Sequence, residues 1–149
     1  MEKKHYTKLY ASFAISFVVM YTVMFLNVDS IEHVYLSITR VSMALLMVTP
    51  MAITMLLIMK SMFPNKTTNL AIYISSITVF VLALVALRTQ TLVSDRQYMK
   101  AMIPHHSSAI LTSKHANIND PQVKHLSEEI IVAQEKEIAE MKAALERLK

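Results

Sequence analysis

The stretch VSMALLMVTPMAITMLLIMKSMF, residues 41–63, is long and apolar enough to cross a lipid bilayer as a helix. A helix that spans the bilayer core requires about 20 predominantly apolar residues. Two further apolar stretches flank this one, at residues 9–27 and 69–88. Pro50 lies inside the central stretch, where a membrane span tolerates it because neighbouring helices satisfy the freed carbonyl. The sequence therefore predicts a membrane domain, residues 1–93, with three transmembrane helices.

The first apolar stretch has a second interpretation, as a cleaved signal peptide. Such a peptide has an apolar core of roughly 7–15 residues followed by a small-x-small cleavage site. The stretch Leu9–Leu26 is longer, and the following Asn27-Val28-Asp29-Ser30 offers no such site. We therefore interpret the stretch as a retained anchor.

Basic residues beside the predicted spans indicate their orientation, because cytoplasmic loops carry an excess of lysine and arginine. One side of the predicted membrane domain has Lys3, Lys4, Lys8, Lys60 and Lys66, and the other side has Arg40, Arg88 and Arg96. This bias predicts a cytoplasmic N-terminus in a cell membrane, inner or plasma. With three spans, the C-terminal segment is then extracytoplasmic.

The composition excludes several kinds of site. The 149-residue chain is 54% hydrophobic and contains no cysteine and no glycine. Disulfides, thiolate sites, phosphate-binding glycine loops and dinucleotide-binding fingerprints are therefore excluded. The net charge of +4 belongs to the membrane half, and the chain has no basic run with interleaved aromatic residues. We therefore expect no nucleic-acid partner.

Residues 94–149 predict an antiparallel helical hairpin. Ser94-Asp95 and Asp120-Pro121 are typical helix starts, with a capping side chain before the first helical residue. The spacing predicts a seam on the first helix at Tyr98, Met102, His105, Ala109, Thr112 and Ala116, and one on the second helix at Val123, Leu126, Ile130, Gln134, Ile138, Met141, Leu145 and Leu148. A lone hairpin buries only one face, so we expect a second copy to complete a four-helix bundle. The predicted fold class is all-α.

Methionine and histidine cluster on the first helix of this hairpin, at Met99, Met102, His105 and His106. Steps of three and four place Met102 on the same face as each histidine. Thioether and imidazole without thiolate suit copper, Cu(I) in particular, whereas histidine alone also suits zinc, nickel or Cu(II). Pro104 should kink the helix beside the pair. In the alternative interpretation, Met102 is a core residue and one histidine faces solvent.

Two stretches resemble a known family. YMKAMIPHHSSA (residues 98–109) and IIVAQEKEIAEM (residues 130–141) resemble the two signatures of the domain-of-unknown-function family 305, DUF305. The resemblance covers residues 95–149 and implies a ferritin-like helical bundle. Some family members are periplasmic copper-binding proteins, so it also implies a periplasmic metal site.

The resemblance implies Met102, His105, His106 and Met141 as metal ligands, with Glu137 and Gln134 nearby. Two features depart from the family pattern. Thr112 stands where family members commonly have a methionine, and the hairpin occurs once where many members have it twice.

These features predict a membrane-anchored protein that binds copper, or another transition metal, outside the cytoplasm for resistance or delivery. The predicted metal-site residues are Met99, Met102, His105, His106, Glu137 and Met141. The hairpin lacks the Glu-x-x-His pairs of di-metal carboxylate enzymes, so we do not expect an enzyme. The alternative is a structural module whose hairpin drives oligomerisation. Membrane lipid and further copies of the chain are the expected partners.

Overall fold

The structure, a computed structural model, describes the backbone of residues 2–148 and the side chains of residues 4–148. Within residues 2–148 it contains only helices and no β-strand, which confirms the all-α prediction. The α-helices are α1 (Glu2–Val23), α2 (Ile38–Ile58), α3 (Lys66–Thr89), α4 (Asp95–His115) and α5 (Pro121–Arg147). The side chain of Lys3, one of the residues that indicate the orientation, lies outside the described part.

The chain divides into two compact units. The first, which we call the three-helix unit, comprises the described residues up to Thr22 together with Thr39–Leu92. The second, the hairpin unit, comprises Val23–Ile38 together with the described residues from Val93 onward. The sequence prediction assigned residues 23–38 to the membrane domain, whereas the structure groups them with the C-terminal helices.

Among the described residues, α2 and α3 are long and apolar enough to cross a membrane. They correspond to the second and third predicted spans. The first predicted span corresponds to α1, a helix of 22 residues that already begins at Glu2 in the basic tail. Both α1 and α2 end before their apolar stretches do, because a connecting segment and a short 3-10 turn take up the last residues.

Tyr6 joins the start of α1 to the turn between α2 and α3. Its hydroxyl donates to Asn69 Oδ1 at 2.8 Å and accepts from the Asn65 N–H at 3.2 Å. Its ring packs at a tilt against Phe63, with ring centroids 5.2 Å apart. The Asn65 side chain also caps α3 by accepting from the Thr68 N–H at 2.9 Å. The N-terminal end of α1 therefore lies at the C-terminal end of α2.

Polar side chains make the helix ends of this glycine-free chain. The Asp120 carboxylate accepts from the N–H groups of Gln122 and Val123 at 2.9 and 3.0 Å, and Ser94 caps α4, as the sequence predicts. α3 ends at Gln90, whose φ of 54° lies in the left-handed region that glycine usually occupies. A residue that carries a side chain adopts this backbone conformation at a cost of about 1–2 kcal/mol, and this helix end tolerates that cost.

The core of the hairpin unit differs from the predicted seam on α4. The buried residues of α4 are Ile103, Pro104, Ser107 and Ile110, and the helix continues through Pro104. The predicted seam residues Tyr98, His105, Thr112 and Ala116 are exposed, so that prediction is wrong. The buried face lies roughly 150° around the helix from the predicted seam, because burying two isoleucines seven residues apart outweighs burying a histidine and a threonine.

On α5 the predicted seam is correct only in the second half of the helix. Ile138, Met141 and Leu145 are buried and pack against the isoleucines of α4. Val123 and Leu126, at the start of α5, are 50% and 54% exposed. The apolar pattern of α5 therefore continues beyond the part that α4 covers.

Candidate functional site

A pocket of about 440 Å³ lies between α4 and α5. Its lining consists of Tyr98, Met99, Met102 and His106 from α4, and Glu137, Glu140, Met141 and Ala144 from α5. We call it the Met–His pocket. Its volume is within the range of about 300–1,000 Å³ that is usual for small-ligand sites. Five of the six predicted site residues line it, and His105 does not.

The hairpin brings the two sequence signatures together at this pocket. Met102 and His106 are one helical turn apart on α4, and Glu137 and Met141 are one turn apart on α5. Ile138 lies between the latter two and is buried in the core, which fixes the rotation of α5. The same core contacts that stabilise the hairpin therefore position the pocket residues.

Both ring nitrogens of His106 have partners. Nδ1 lies 2.9 Å from the backbone carbonyl of Met102, and because a carbonyl only accepts, Nδ1 carries a proton. Nε2 lies 2.9 Å from a carboxylate oxygen of Glu137. This contact between Nε2 and the carboxylate is an ion pair when the imidazole is protonated. An Nδ1–H bonded to a carbonyl is also the usual arrangement for a histidine that binds metal through Nε2.

Glu137 has a second neighbour that orients its carboxylate. The side-chain amide of Gln134 donates to the same carboxylate oxygen at 3.3 Å. The Glu137 side chain is 49% exposed, whereas that of His106 is 14% exposed. The oxygen that faces His106 is thus held on the rim of the pocket, with the imidazole beneath it.

His105 lies outside this arrangement. Its side chain is exposed, and its ring stands at 89° to that of His106, with centroids 6.0 Å apart. Spacing alone puts both histidines within reach of Met102, but the rotation of α4 brings only His106 into the pocket. His105 as a ligand remains a prediction.

Three residues of the pocket lining, Tyr98, Glu140 and Ala144, were not among the predicted site residues. The step of three from Glu137 to Glu140 places them on neighbouring positions of α5 and was the available signal. No three side chains of the types His, Asp and Glu gather as a metal site within residues 4–148. A metal in this pocket therefore depends on thioether sulfur.

Residues 24–37, which connect α1 to α2 and which we call the strap, contact the hairpin next to this pocket. The hydroxyl of Ser107, the residue after His106, accepts from the Asp29 N–H at 2.8 Å and lies 2.9 Å from His33 Nδ1. The Ser107 side chain is fully buried. The sequence analysis predicted no contact between this segment and the hairpin.

Lys114 provides a second attachment of the strap. Its ammonium lies 3.1 Å from Asp29 of the strap and 3.4 Å from Glu135 of α5. The hydrogen bond to Asp29, more than any other interaction, raises the pKa of Lys114 above its ordinary value. The pair is partly exposed, so its main effect is to fix the position of the strap rather than to stabilise it strongly.

Acid is expected to weaken the attachment of the strap through His33. Burial, and next the charge of Lys142, lower the pKa of His33 below its ordinary value of 6.5, against the opposing effect of Asp29 and Glu32. The unfolded chain therefore binds this proton at a higher pH than the folded chain does. The His33 contribution to stability is complete above about pH 6.5 and is lost as the pH falls from there through the folded pKa.

Thermal unfolding at pH 7.5 and pH 5.5, compared between the wild type and His33→Gln, measures this effect. The melting temperature of the wild type should fall more than that of the variant over this interval. The other five histidines are common to both proteins, so they cancel in the comparison. Equal falls in the two proteins would contradict the role assigned to His33.

Comparison with known proteins agrees with the two signatures. The family model described as DUF305, a domain of unknown function, matches residues 82–145, which include all of α4 and most of α5. An uncharacterized protein of Acanthamoeba polyphaga mimivirus is 39% identical over 137 residues, which cover 90% of this chain and 88% of that protein. No solved structure matches the chain. These matches confirm the resemblance that the signatures indicate: the chain belongs to the DUF305 family.

Proposed function

We propose that the protein is a membrane-anchored metal-binding protein that holds copper in the Met–His pocket, for resistance or delivery. The observation that carries the proposal is the state of His106. Its Nδ1–H is held by a carbonyl, and its Nε2 points into a pocket that is also lined by three methionines. An imidazole nitrogen oriented in this way beside soft thioethers, with no thiolate, is a donor set that favours Cu(I) among common metal ions.

The pocket residues fit such an ion. His106 Nε2, Met102 and Met141 would hold it, with Met99 and Glu137 beside them. A copper ion would take the Nε2 lone pair in place of a proton, and the Glu137 carboxylate would remain beside the site. The role proposed is binding, with no catalytic step.

The surface of two helices supports a location in a membrane. Only 33% of the most apolar part of α2 and 17% of that of α3 is buried inside the protein. The core helix of a soluble protein buries most of its apolar residues, whereas a helix in lipid presents them outward. We propose that α1 is a third span, as the sequence predicts.

Contacts within each unit are consistent with three spans. In the three-helix unit, Tyr6 near the N-terminus contacts the turn between α2 and α3. In the hairpin unit, the strap that follows α1 contacts the hairpin that follows α3. Three spans would put the first pair of segments on one side of the membrane and the second pair on the other. The basic residues then favour a cytoplasmic N-terminus and an extracytoplasmic hairpin.

Copper titration of the full chain in detergent tests the proposal. Cu(I) is added in competition with a chelator to the wild type, His106→Ala and His105→Ala. The two variants are a matched pair, because the histidines are adjacent and only His106 lines the pocket. We expect stoichiometric copper in the wild type, near-normal binding in His105→Ala and its loss in His106→Ala.

Other results are equally informative. Loss of copper in both variants would mean that His105 also ligates, for example toward a second copy of the chain. Full binding in His106→Ala would overturn the proposed site, and absence of copper or another transition metal from the wild type would overturn the proposed function.

The exposed apolar start of α5 favours a second candidate function. Val123 and Leu126 are half exposed there, and a second copy that packs on them would complete a ferritin-like four-helix bundle. In this alternative the protein is an oligomerisation module without metal. The mass of the detergent-solubilised protein, measured on the same samples, separates the two. A stable oligomer without metal binding in the wild type favours the alternative.

A further inference from the structure

A second pocket, of about 410 Å³, lies in the hairpin unit where the strap meets α4 and α5. Three basic side chains line it: Arg96 and Lys100 of α4 and Lys142 of α5. Tyr35 of the strap lines it as well. The pocket shares no lining residue with the Met–His pocket, so a ligand in this second pocket is independent of the proposed metal site.

The basic side chains are not neutralised by their neighbours. Arg96 and Lys100 are one helical turn apart, a spacing at which like charges destabilise a helix. Neither forms an ion pair with a residue that the structure describes. Of the two acidic residues in the lining, Glu32 pairs with Lys142 at 3.7 Å and its side chain is 79% exposed. The lining thus carries three positive and two negative side chains, with both positive charges of α4 unpaired.

We propose that this pocket binds a phosphate group. Its donors are a planar guanidinium, two ammonium groups and a phenol hydroxyl from three separate segments, and they stand beside the carboxylates of Glu32 and Glu146. A carboxylate offers two oxygens in one plane, whereas a phosphate offers three or more that diverge. The diverging oxygens of a phosphate suit donors from the strap, α4 and α5 together.

Two sources supply this chemistry, free phosphate and the headgroup of an anionic lipid. Arg96 follows the end of α3 at Thr89 by seven residues. α3 is long and apolar enough to cross a membrane, which makes a lipid headgroup one of the two sources.

Calorimetric titration with sodium phosphate tests the site on the full chain in detergent. A buffer without phosphate and about 150 mM chloride suppresses non-specific attraction between distant charges. We compare the wild type, Arg96→Gln/Lys100→Gln and the control Lys124→Gln/Lys136→Gln, which removes the same charge from exposed positions of α5 outside the pocket. Binding should be saturable in the wild type and control, and at least about tenfold weaker in the pocket variant, because charge-assisted hydrogen bonds are lost.

Competition between phosphate and lipid identifies which of the two molecules the pocket binds. If phosphatidylglycerol displaces phosphate and phosphatidylcholine does not, the site takes a lipid headgroup. If neither lipid displaces phosphate, the site takes the free anion. The proposal is overturned if the wild type binds neither phosphate nor phosphatidylglycerol, or if the control variant loses binding as much as the pocket variant does.

Discussion

Replacing Met102 and Met141 together with leucine is expected to weaken Cu(I) binding at least about 100-fold, or about 2.7 kcal/mol. The double variant removes the two thioether sulfurs that would bind the ion beside His106. Leucine retains nearly the same apolar volume, and such exchanges usually cost less than about 1.5 kcal/mol of stability. Because Met141 is buried beside Ile138 in the hairpin core, this conservative replacement is preferable to alanine.

Cu(I) affinity by chelator competition is the measurement, with unfolding curves recorded on the same samples. Met43→Leu/Met47→Leu is the matched control, since both methionines lie on α2 in the three-helix unit and do not line the pocket. Zn²⁺ binding, which relies on imidazole and carboxylate, should change much less than Cu(I) binding. An unchanged Cu(I) affinity in Met102→Leu/Met141→Leu would mean that the pocket does not use thioether ligands.

A second large effect, a loss of stability, is expected from a substitution in the core of the hairpin unit. Ile110→Ala should destabilise the unit by about 2–5 kcal/mol, because it leaves a cavity in a well-packed site. Ile110 is 1% exposed and clusters with Ile103 and Ile138. We expect the melting temperature of this unit to fall by at least roughly 8 °C.

Val132→Ala is the control for this experiment, since Val132 lies on α5 with 68% of its surface exposed. It should change the melting temperature by little. Hydrogen exchange of the α4 and α5 amides shows whether the loss is confined to the hairpin unit. Equal stability of Ile110→Ala and Val132→Ala would mean that the α4–α5 core is not packed as described.

Local chemistry made part of this structure predictable from sequence. Ser94 and Asp120 have capping oxygens that serve the next N–H groups, so the starts of α4 and α5 follow from residues within one helical turn. The same holds for the Met–His pocket. An antiparallel hairpin brings residues 102–106 and 137–141 to the same level along the two helices, and the rotation of each helix then decides which side chains line the pocket.

The rotation of α4 was not predictable in the same way. Met102, His105 and Ile103 are close together in sequence, and each begins a plausible seam at steps of three or four. The choice among them depends on how much apolar area each seam buries against α5, and that quantity belongs to the pair of helices. The exposed position of His105 follows from this choice.

The strap was missed for a different reason. Its contacts join residues 74 or more positions apart and use single hydrogen bonds and ion pairs, such as those from Asp29 to Ser107 and Lys114. Such contacts leave no periodic pattern, because each involves one side chain and an irregular backbone. Residues 24–37 therefore show no repeat that would predict a contact with the hairpin.

The strap makes the hairpin unit discontinuous along the chain, and this has a consequence for how the protein is made. Domains fold as units during synthesis, beginning from the N-terminus. The strap is synthesised before α2 and α3, yet its partner Ser107 follows both of them. The hairpin unit therefore cannot close until the intervening 54 residues, Thr39–Leu92, have been synthesised. Only then can the strap and α4 come into contact. Assembly of the pocket-bearing unit is in this way made conditional on completion of the helices that precede it.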